Sequence, residues 1–379
     1  MIIESISISV FELVTNTPKF NIRETIHRGN SRWVRTSTAK GLELVHVLHV
    51  RTSDGIEGMC TVGDARYTTM RGEDLEQLRI MTVGENPLDR EYLDAKLRMA
   101  TRSIFTRPGW AGAFDNCLWD IAGKTAGLPV HALIGRARNR CPAYYNYGGK
   151  TIAEAIEDCR MAISNGFTAI KDHFNETARE NIAWCQAIRK AVGDEIDLLH
   201  DAAWCQYTFD EAVRVGRTLH DLNFRWFEEP LEDRDMTSLI KLGELLEIPI
   251  VTPETLMHDR DLSAQWLIKG ATDLLRGNAR MGTTSLLKLA HLSELHNTNI
   301  ELNGPGGLFG LVHAHLVCAI RNTSYYEYFP CGTRDEIGKE IGLVNPPVPQ
   351  EGYMAPPDAP GWGAEWDMDY FMKKRTGEL

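Results

Sequence analysis

The sequence lacks a surplus of basic residues: 41 Lys and Arg stand against 52 Asp and Glu, a formal net charge of −11. A nucleic-acid partner requires a basic face to neutralise phosphates, so we expect none and take a small molecule as the ligand. No apolar run reaches the roughly 18 residues of a membrane span, and we expect no membrane partner. Met1 to Glu4 lack the basic start of a secretion signal, so we expect a cytoplasmic protein.

The eight cysteines form no CxxC pair and no zinc-like cluster. We therefore predict that most of them are reduced and structural. A low-complexity tract is also missing, and 43% hydrophobic with 25% charged residues is typical of a folded globular protein. At 379 residues the chain can form one large or two ordinary domains.

From residue 141 onward, short runs of strand-forming residues recur every 24 to 28 residues, with helical segments between them. We predict eight strand centres: Tyr145, Ile170, Leu198, Trp226, Ile250, Leu274, Glu301 and Tyr326. The run Thr151-Ile-Ala-Glu154 predicts a capping box at the start of the first intervening helix. Eight strands at this period predict a TIM barrel, whose active site lies at the carboxyl ends of the strands.

The two ends of the chain differ in character from the barrel segment. Residues 1–140 contain a hairpin signal at Asp54-Gly55 and helical segments that include 111–127. Residues 346–379 are rich in Pro and Gly and too irregular to extend the barrel. We therefore predict a capping domain at 1–140, with 346–379 returning to it, and a barrel domain at 141–345.

Three acidic residues end three successive predicted strands, at Asp201, Glu228 and Glu254. Because the ends of adjacent barrel strands converge, their carboxylates can meet at the mouth of the barrel. Oxygen ligands without Cys or His favour Mg²⁺. The alternative is that each acid only caps the helix that follows it. Glu229 points away from Glu228 by strand alternation, so we expect it to support the ligands rather than bind the metal.

Several motifs follow one another in a distinctive order. They are Leu118-Trp-Asp-Ile-Ala-Gly-Lys124, Gly127-Leu-Pro129, Asp201, Phe227-Glu-Glu-Pro230, Glu254 and Pro360-Gly-Trp-Gly-Ala-Glu-Trp-Asp367. In this order and spacing they resemble the mandelate racemase/muconate lactonizing enzyme branch of the enolase superfamily, across nearly the whole chain. The resemblance implies an α/β fold, a modified (β/α)7β TIM barrel with an α+β cap. It also implies a reaction in which Mg²⁺ binds a carboxylate, a base removes the α-proton and the metal stabilises the enediolate.

The family commonly places a Lys-x-Lys motif at the end of strand two, where the second lysine is the base. This chain has Lys171-Asp-His173 at that place. The resemblance therefore implies that His173 is the base and that Lys171 contacts the substrate carboxylate, with Lys171 as the alternative base. Histidine is a competent base near neutral pH. The alternative is that both are strand-end residues without a chemical role.

Mandelate racemase has a His-Asp dyad on the opposite face, from strands six and seven. The nearest equivalents here are Asn278 and Asn303, which cannot take up a proton. We therefore favour one-base chemistry in which the asparagines bind substrate, His173 removes the α-proton and a β-hydroxyl leaves from the same side. His313 and His315 lie in a helical run, and we expect them to pack in the core.

Two further groups are assigned through the resemblance. Glu327 matches the position whose protonated carboxyl donates a hydrogen bond to the substrate carboxylate, which requires a pKa raised by burial. The alternative is a glutamate paired with a basic residue. In the cap, the segment at 19–40 corresponds to the loop that closes over substrate. Its cationic donors, among them His27, Arg28 and Arg32, suit a polyhydroxylated acid, although a solvated surface loop is the alternative.

Together these features predict a Mg²⁺-dependent lyase, a hydro-lyase that dehydrates an acid sugar and forms a homo-oligomer. A cycloisomerase or epimerase that acts on an acid sugar or lactone is the alternative within enzymes. A catalytically silent family member with a binding or regulatory role is the alternative from another class.

Overall fold

The computed structural model describes residues 1–15, 20–27, 30–37, 41–62, 69–100, 110–203, 205–256, 259–304, 306–330 and 337–379. In these residues, an α+β portion precedes a curled parallel sheet with helices around it. None of the helices in these ranges has both the length and the apolar character that a membrane crossing requires.

The amino-terminal portion begins with strands in which apolar residues such as Ile6 and Ile8 are buried. The strands are β1 (Ile3–Thr15), β2 (Phe20–His27), β3 (Asn30–Ser37), β4 (Gly41–Thr52) and β5 (Glu57–Thr61). β4 pairs antiparallel with both β1 and β5, whereas β2 and β3 form a separate antiparallel hairpin. The predicted turn at Asp54-Gly55 joins β4 to β5, and Gly55 has the positive φ of 81° that favours glycine there.

Four helices follow these strands: α1 (Gly72–Thr82), α2 (Arg90–Ala100), α3 (Trp110–Ala126) and α4 (Val130–Ile134). The third is buried along most of its length and joins the cap sheet to the barrel. On one side Asp120 accepts a hydrogen bond of 3.2 Å from the backbone N–H of Met59. On the other side Asn116 donates one of 3.0 Å to the backbone oxygen of Ala279. The helix α3 therefore fixes the loop at Ala279 against the cap.

Eight parallel strands form the barrel sheet, and each contains its predicted centre. They are β6 (Cys141–Asn146), β7 (Ala169–Asp172), β8 (Asp197–Asp201), β9 (Phe224–Glu228), β10 (Ile250–Thr252), β11 (Leu274–Gly277), β12 (Ile300–Leu302) and β13 (Tyr326–Tyr328). Their order is β12-β11-β10-β9-β8-β7-β6-β13, so the last strand lies beside the first. The predicted fold class, a modified TIM barrel, is confirmed.

A helix follows each of the first seven barrel strands. These helices are α5 (Ile152–Ser164), α6 (Ala178–Val192), α7 (Phe209–Asp221), α8 (Met236–Leu245), α9 (Arg260–Ile268), α10 (Thr283–Leu295) and α11 (Gly307–Ala319). At the start of α5, Thr151 accepts a hydrogen bond from the N–H of Glu154, as predicted. The Glu154 carboxylate accepts instead from the N–H of Lys150, at 2.7 Å, so the reciprocal half of the predicted capping box is wrong.

The last segment contains β14 (Tyr353–Met354), α12 (Met368–Lys374) and β15 (Gly377–Glu378). β14 pairs antiparallel with β6, so the expectation that this segment adds nothing to the barrel sheet is wrong for two residues. β15 pairs antiparallel with β1, which gives the cap sheet the order β15-β1-β4-β5. Between them, the buried Trp362 donates through its indole N–H to the backbone oxygen of Asn116, at 2.8 Å.

The interior of the barrel has an apolar layer, which we call the floor layer. It consists of Tyr144, Ala169, Leu199, Trp226, Val251 and Tyr325, all buried. Because successive side chains of a strand point to opposite faces, the next inward residues lie two positions further on, toward the carboxyl ends. Seven cysteines, all those in the described residues, are buried and unbonded to one another, as predicted.

Candidate active site

Six charged side chains are buried together at the carboxyl ends of the barrel strands, and we call them the charged layer. They are Lys171, Asp201, Glu228, Glu254, Arg276 and Glu327, none more than 8% exposed. Asp201 and Glu228 end β8 and β9 and are direct neighbours in the sheet. The structure therefore brings the three predicted metal ligands and two of the predicted catalytic residues to one place, and it adds Arg276.

Lys171 lies at the centre of the charged layer. Its Nζ atom is 2.8 Å from Oε2 of Glu228 and 3.0 Å from Oε1 of Glu327. A third carboxylate oxygen, Oδ2 of Asp201, lies 3.1 Å away. Burial lowers the pKa of Lys171, but the surrounding carboxylates outweigh burial and raise this pKa well above its usual value. Lys171 is therefore a cation at neutral pH, which disfavours it as the base.

The sequence analysis did not identify Arg276, whose guanidinium is fully buried. Its Nη2 atom lies 2.8 Å from Oε1 of Glu228 and 3.1 Å from Oε2 of Glu327. The same atom donates a hydrogen bond of 3.1 Å to the hydroxyl of Tyr144. An arginine within the apolar strand run Leu274-Leu-Arg-Gly is the sequence signal that could have revealed it.

The charged layer has more negative than positive groups. When all are ionised, four carboxylates and two cations, Lys171 and Arg276, leave a net charge of −2. Burial raises the pKa of Glu228 to about 8 in spite of the Arg276 and Lys171 cations. Burial is the main cause, and the carboxylates of Asp201 and Glu327 raise this pKa further. A divalent cation with a preference for oxygen ligands, such as Mg²⁺, fits this charge and this donor set.

Glu229 lies next to the charged layer and is strained in its backbone, with a φ of 45° that is uncommon outside glycine. Its backbone N–H donates a hydrogen bond of 3.2 Å to the oxygen of Val251 on β10. Burial and the nearby carboxylates of Glu254 and Asp233 raise the pKa of Glu229 well above its usual value. The turn at Glu229 thus adds a further acidic group beside the candidate metal ligands.

Glu327 does not have the protonation state that was expected of it. Burial raises its pKa, but Lys171 and Arg276 lower it further, and the result lies below the usual range. Glu327 accepts hydrogen bonds from the side chain of Asn146, at 3.2 Å, and from the backbone N–H of Gly304. The expectation of a protonated donor is therefore wrong in this structure, and the alternative of a glutamate paired with basic residues describes it.

His173 lies one residue beyond the end of β7. Its Nε2 atom is 3.3 Å from Oδ2 of Asp201, and its side chain is 39% exposed, unlike the charged layer. Burial raises the pKa of Asp201, whereas Lys171 and His173 lower it below its usual value, so Asp201 is an anion beside the imidazole. His173 is thus both next to the candidate metal ligands and accessible to a molecule that enters the barrel mouth.

Asn278 follows β11 and Asn303 follows β12, and both are buried. The Nδ2 group of Asn278 donates to Oδ1 of Asn303, and Oδ1 of Asn278 accepts from the N–H of Arg280 at 2.8 Å. Within the described residues 274–304, no His, Lys or Tyr hydrogen-bonds to the charged layer. His313 and His315 are buried on α11, and burial lowers the pKa of each to about 3. Both are buried in the core, as expected, but hydrogen bonds hold them as well as packing. Nε2 of His313 accepts from the N–H of Ala279 at 2.9 Å, and Nε2 of His315 lies 3.1 Å from the backbone oxygen of Trp362.

The predicted substrate-binding residues of the cap are outside this description. Arg28 lies outside the described residues, and so do the side chains of His27 and Arg32. The backbones of His27 and Arg32 lie on β2 and β3. Their role in binding substrate stays a prediction.

Comparison with known proteins identifies relatives across both parts of the chain. Residues 154–370 match the family model for the enolase C-terminal domain-like fold, and residues 24–135 match the mandelate racemase/muconate lactonizing enzyme N-terminal domain. L-Talarate/galactarate dehydratase of Salmonella typhimurium is 30% identical over 313 residues, which cover 78% of this chain and 76% of that protein. Arabinonate dehydratase of Saccharolobus solfataricus is 29% identical over 286 residues, which cover 72% and 74%.

A solved structure agrees with these sequence relatives. The crystal structure of D-glucarate dehydratase from Agrobacterium tumefaciens complexed with magnesium has a TM-score of 0.81 to this chain. The two chains are 27% identical, and the superposition covers all of both.

Proposed function

Because the chain belongs to the mandelate racemase/muconate lactonizing enzyme family of the enolase superfamily, we propose that it is a Mg²⁺-dependent lyase that dehydrates an acid sugar. The observation that carries the proposal is the charged layer, where four buried carboxylates surround only two cations beside an accessible histidine. The dehydratase names of the relatives support the reaction class.

Asp201, Glu228 and Glu254 would hold the Mg²⁺ ion. Their oxygen-only donor set and the net charge of −2 in the charged layer fit a hard divalent cation. When bound, the ion would supply the positive charge that stabilises negative charge on the substrate carboxylate as the α-proton leaves. Lys171 and Arg276 keep the remaining carboxylate of the layer, Glu327, ionised, and both cations also contact Glu228.

His173 is the proposed base. It is the accessible imidazole of the site and lies 3.3 Å from the carboxylate of Asp201, so it can reach the α-carbon of a substrate held there. The α-proton passes to Nε2 of His173, and the same proton can then assist departure of the β-hydroxyl as water. The C–O bond breaks, a C=C bond forms, and tautomerisation of the resulting enol gives a 2-keto-3-deoxy acid.

The asparagine pair distinguishes this reaction from epimerisation. Inversion at the α-carbon requires a proton donor on the face opposite the base, and an amide cannot supply one near neutral pH. Asn278 and Asn303 can instead donate and accept hydrogen bonds, which suits substrate hydroxyls. The hydroxyl-rich acids named for the relatives agree with this role.

A library of sugar acids, incubated with the enzyme and Mg²⁺, tests the proposal. At least one acid should yield a 2-keto-3-deoxy product, with loss of activity when EDTA removes the metal. In D₂O the same acid should show exchange at the α-carbon or deuterium in the product, and His173→Asn should show neither at a comparable rate. If Mg²⁺ binds but no acid reacts or exchanges, the chain is a silent binding member and the proposal is wrong.

A further inference from the structure

The ends of β7 and β8 are joined on their outer face by two fully buried polar residues, Asp172 and His200. The two are direct partners in the parallel sheet. Oδ1 of Asp172 lies 2.7 Å from Nδ1 of His200, which is a hydrogen-bond distance. Their neighbours in sequence, Lys171, His173 and Asp201, contribute to the inner face.

The Asp172 carboxylate also binds the backbone on the far side of the residue that follows it. Oδ1 of Asp172 accepts a hydrogen bond of 3.2 Å from the N–H of Phe174, so the bond spans His173. The oxygen of Phe174 in turn accepts from Sγ of Cys205, at 3.0 Å. His173 lies one residue beyond the end of β7, and these contacts hold the backbone on either side of it.

A metal ion is the competing explanation, since one ligand atom each from Asp172, Cys185 and His200 lie within 4.8 Å of one another. Two ligands of a tetrahedral zinc ion at about 2.0 to 2.1 Å stand roughly 3.3 Å apart, further than the 2.7 Å seen between Asp172 and His200. A direct hydrogen bond therefore describes the pair better.

We propose that Asp172 and His200 form a positioning pair that sets where His173 stands relative to Asp201. One carboxylate connects the backbone on both sides of His173 to the strand that carries Asp201. Charge-assisted hydrogen bonds in a buried setting are strong and directional enough to fix such a geometry. The inference rests on the proposed role of His173 as base, and it assigns no contact with substrate to either residue of the pair.

Two variants of nearly equal shape separate the hydrogen bond from packing. His200→Asn keeps an N–H donor close to the place of Nδ1, whereas His200→Leu has none. We expect His200→Leu to lower kcat ~10- to 100-fold with KM within about threefold, since misplacement of a catalytic group costs turnover. His200→Asn should recover kcat to within about threefold of the wild type. Crystal structures should show residues 173–174 displaced in His200→Leu and in place in His200→Asn.

Arg189→Met is the matched control for general destabilisation. Arg189 lies on α6 and donates to the backbone oxygens of Leu222 and Asn223, which border the amino end of β9. This variant should lower Tm without lowering kcat. Should His200→Leu fail to fold, His200→Gln replaces it, because its longer side chain carries the amide beyond the place of Nδ1.

Three results would overturn the inference. The first is a folded His200→Leu with wild-type kcat and an undisplaced His173. The second is an equal loss of kcat in His200→Asn and His200→Leu. The third is one zinc ion per wild-type chain that His200→Leu loses. If the wild-type enzyme transforms no sugar acid, the proposed function fails, and the displacement of residues 173–174 still decides whether the pair positions them.

Discussion

The side-chain amide of Asn278 donates a hydrogen bond to the side-chain carbonyl oxygen of Asn303. The strands that precede them, β11 and β12, lie on the opposite side of the eight-strand order from β7, which precedes His173. If His173 is the base, we expect the amide pair to lie on the face where a second base would have to act. This bond uses one N–H of Asn278 and the side-chain oxygen of Asn303, and it does not involve the NH2 group of Asn303.

The first prediction is that the enzyme does not invert the α-carbon of its substrate. Since neither amide can deliver a proton, substrate recovered from D₂O should keep its configuration even where it has gained deuterium. Chiral chromatography of the recovered acid measures this. Accumulation of the α-epimer at a rate comparable to product formation would contradict the one-base mechanism.

The second prediction concerns the metal. Asp201→Asn and Glu254→Gln each remove one of the negative charges that attract the cation, so Mg²⁺ affinity measured by calorimetry should fall at least ~10-fold. Glu232→Gln, at an exposed acid nearby, is the control and should bind Mg²⁺ as the wild type does. A crystal soaked in Mg²⁺ should place oxygens of Asp201, Glu228 and Glu254 roughly 2.0 to 2.4 Å from one ion. If the three carboxylates do not share one ion in that crystal, the metal assignment is wrong.

The third prediction is that His173→Asn keeps Mg²⁺ and ligand binding but loses turnover. Removal of a general base lowers kcat by ~10² to 10⁴. In the wild type, kcat/KM should rise with pH through roughly pH 6 to 7, where histidine ordinarily titrates. This limb should be missing in the variant. A His173→Asn enzyme with near wild-type activity and the same pH profile would show that another residue is the base.

The fourth prediction concerns Lys171, whose loss should act on stability and binding as well as turnover. Lys171→Met leaves three buried carboxylates without this cation, and breaking a buried ion pair costs about 3 to 5 kcal/mol. Urea unfolding in EDTA should show the loss, and added Mg²⁺ should restore part of it. Lys288→Met removes an exposed pair with Glu91 and a longer contact of 3.9 Å with Asp94, and it should change stability by less than about 1 kcal/mol. A Lys171→Met unfolding curve equal to that of the wild type would contradict the stabilising role of the ion pairs around Lys171.

The fifth prediction is a loss of stability in acid that involves His315. Burial lowers the folded pKa of His315 to about 3, while an unfolded histidine titrates near 6.5. Between these values only the unfolded state binds the proton, so the contribution is complete above pH ~6.5 and is lost as pH falls toward 3, at up to about 1.4 kcal/mol per pH unit. His315→Asn should therefore lose less unfolding free energy than the wild type between pH 7 and pH 5. Equal losses of unfolding free energy in the wild type and in His315→Asn, measured by urea unfolding, would contradict this assignment.

The sequence allowed prediction of the barrel because its strands recur at a regular period, and every predicted strand centre lies within a strand. The carboxylates at strand ends followed from the same periodicity. Arg276 was missed although an arginine within the apolar run Leu274-Leu-Arg-Gly is unusual, because the metal-site prediction relied on acids at strand ends. The error on Glu327 has a different reason, since its contacts with Lys171 and Arg276 join positions that are distant in the chain. The two-residue strand β14 was also missed, because so short a pairing leaves no periodic signal.

The floor layer closes the barrel interior beneath the charged layer. Tyr144, Trp226 and Tyr325 pack edge to face there, with ring centroids 5.8 to 6.1 Å apart, so we expect substrate to enter and product to leave at the mouth. Substrate and product must then pass through the same opening, one after the other. A bound product blocks the next substrate molecule, so the keto acid should inhibit the enzyme competitively. Release of the product can also limit the turnover rate.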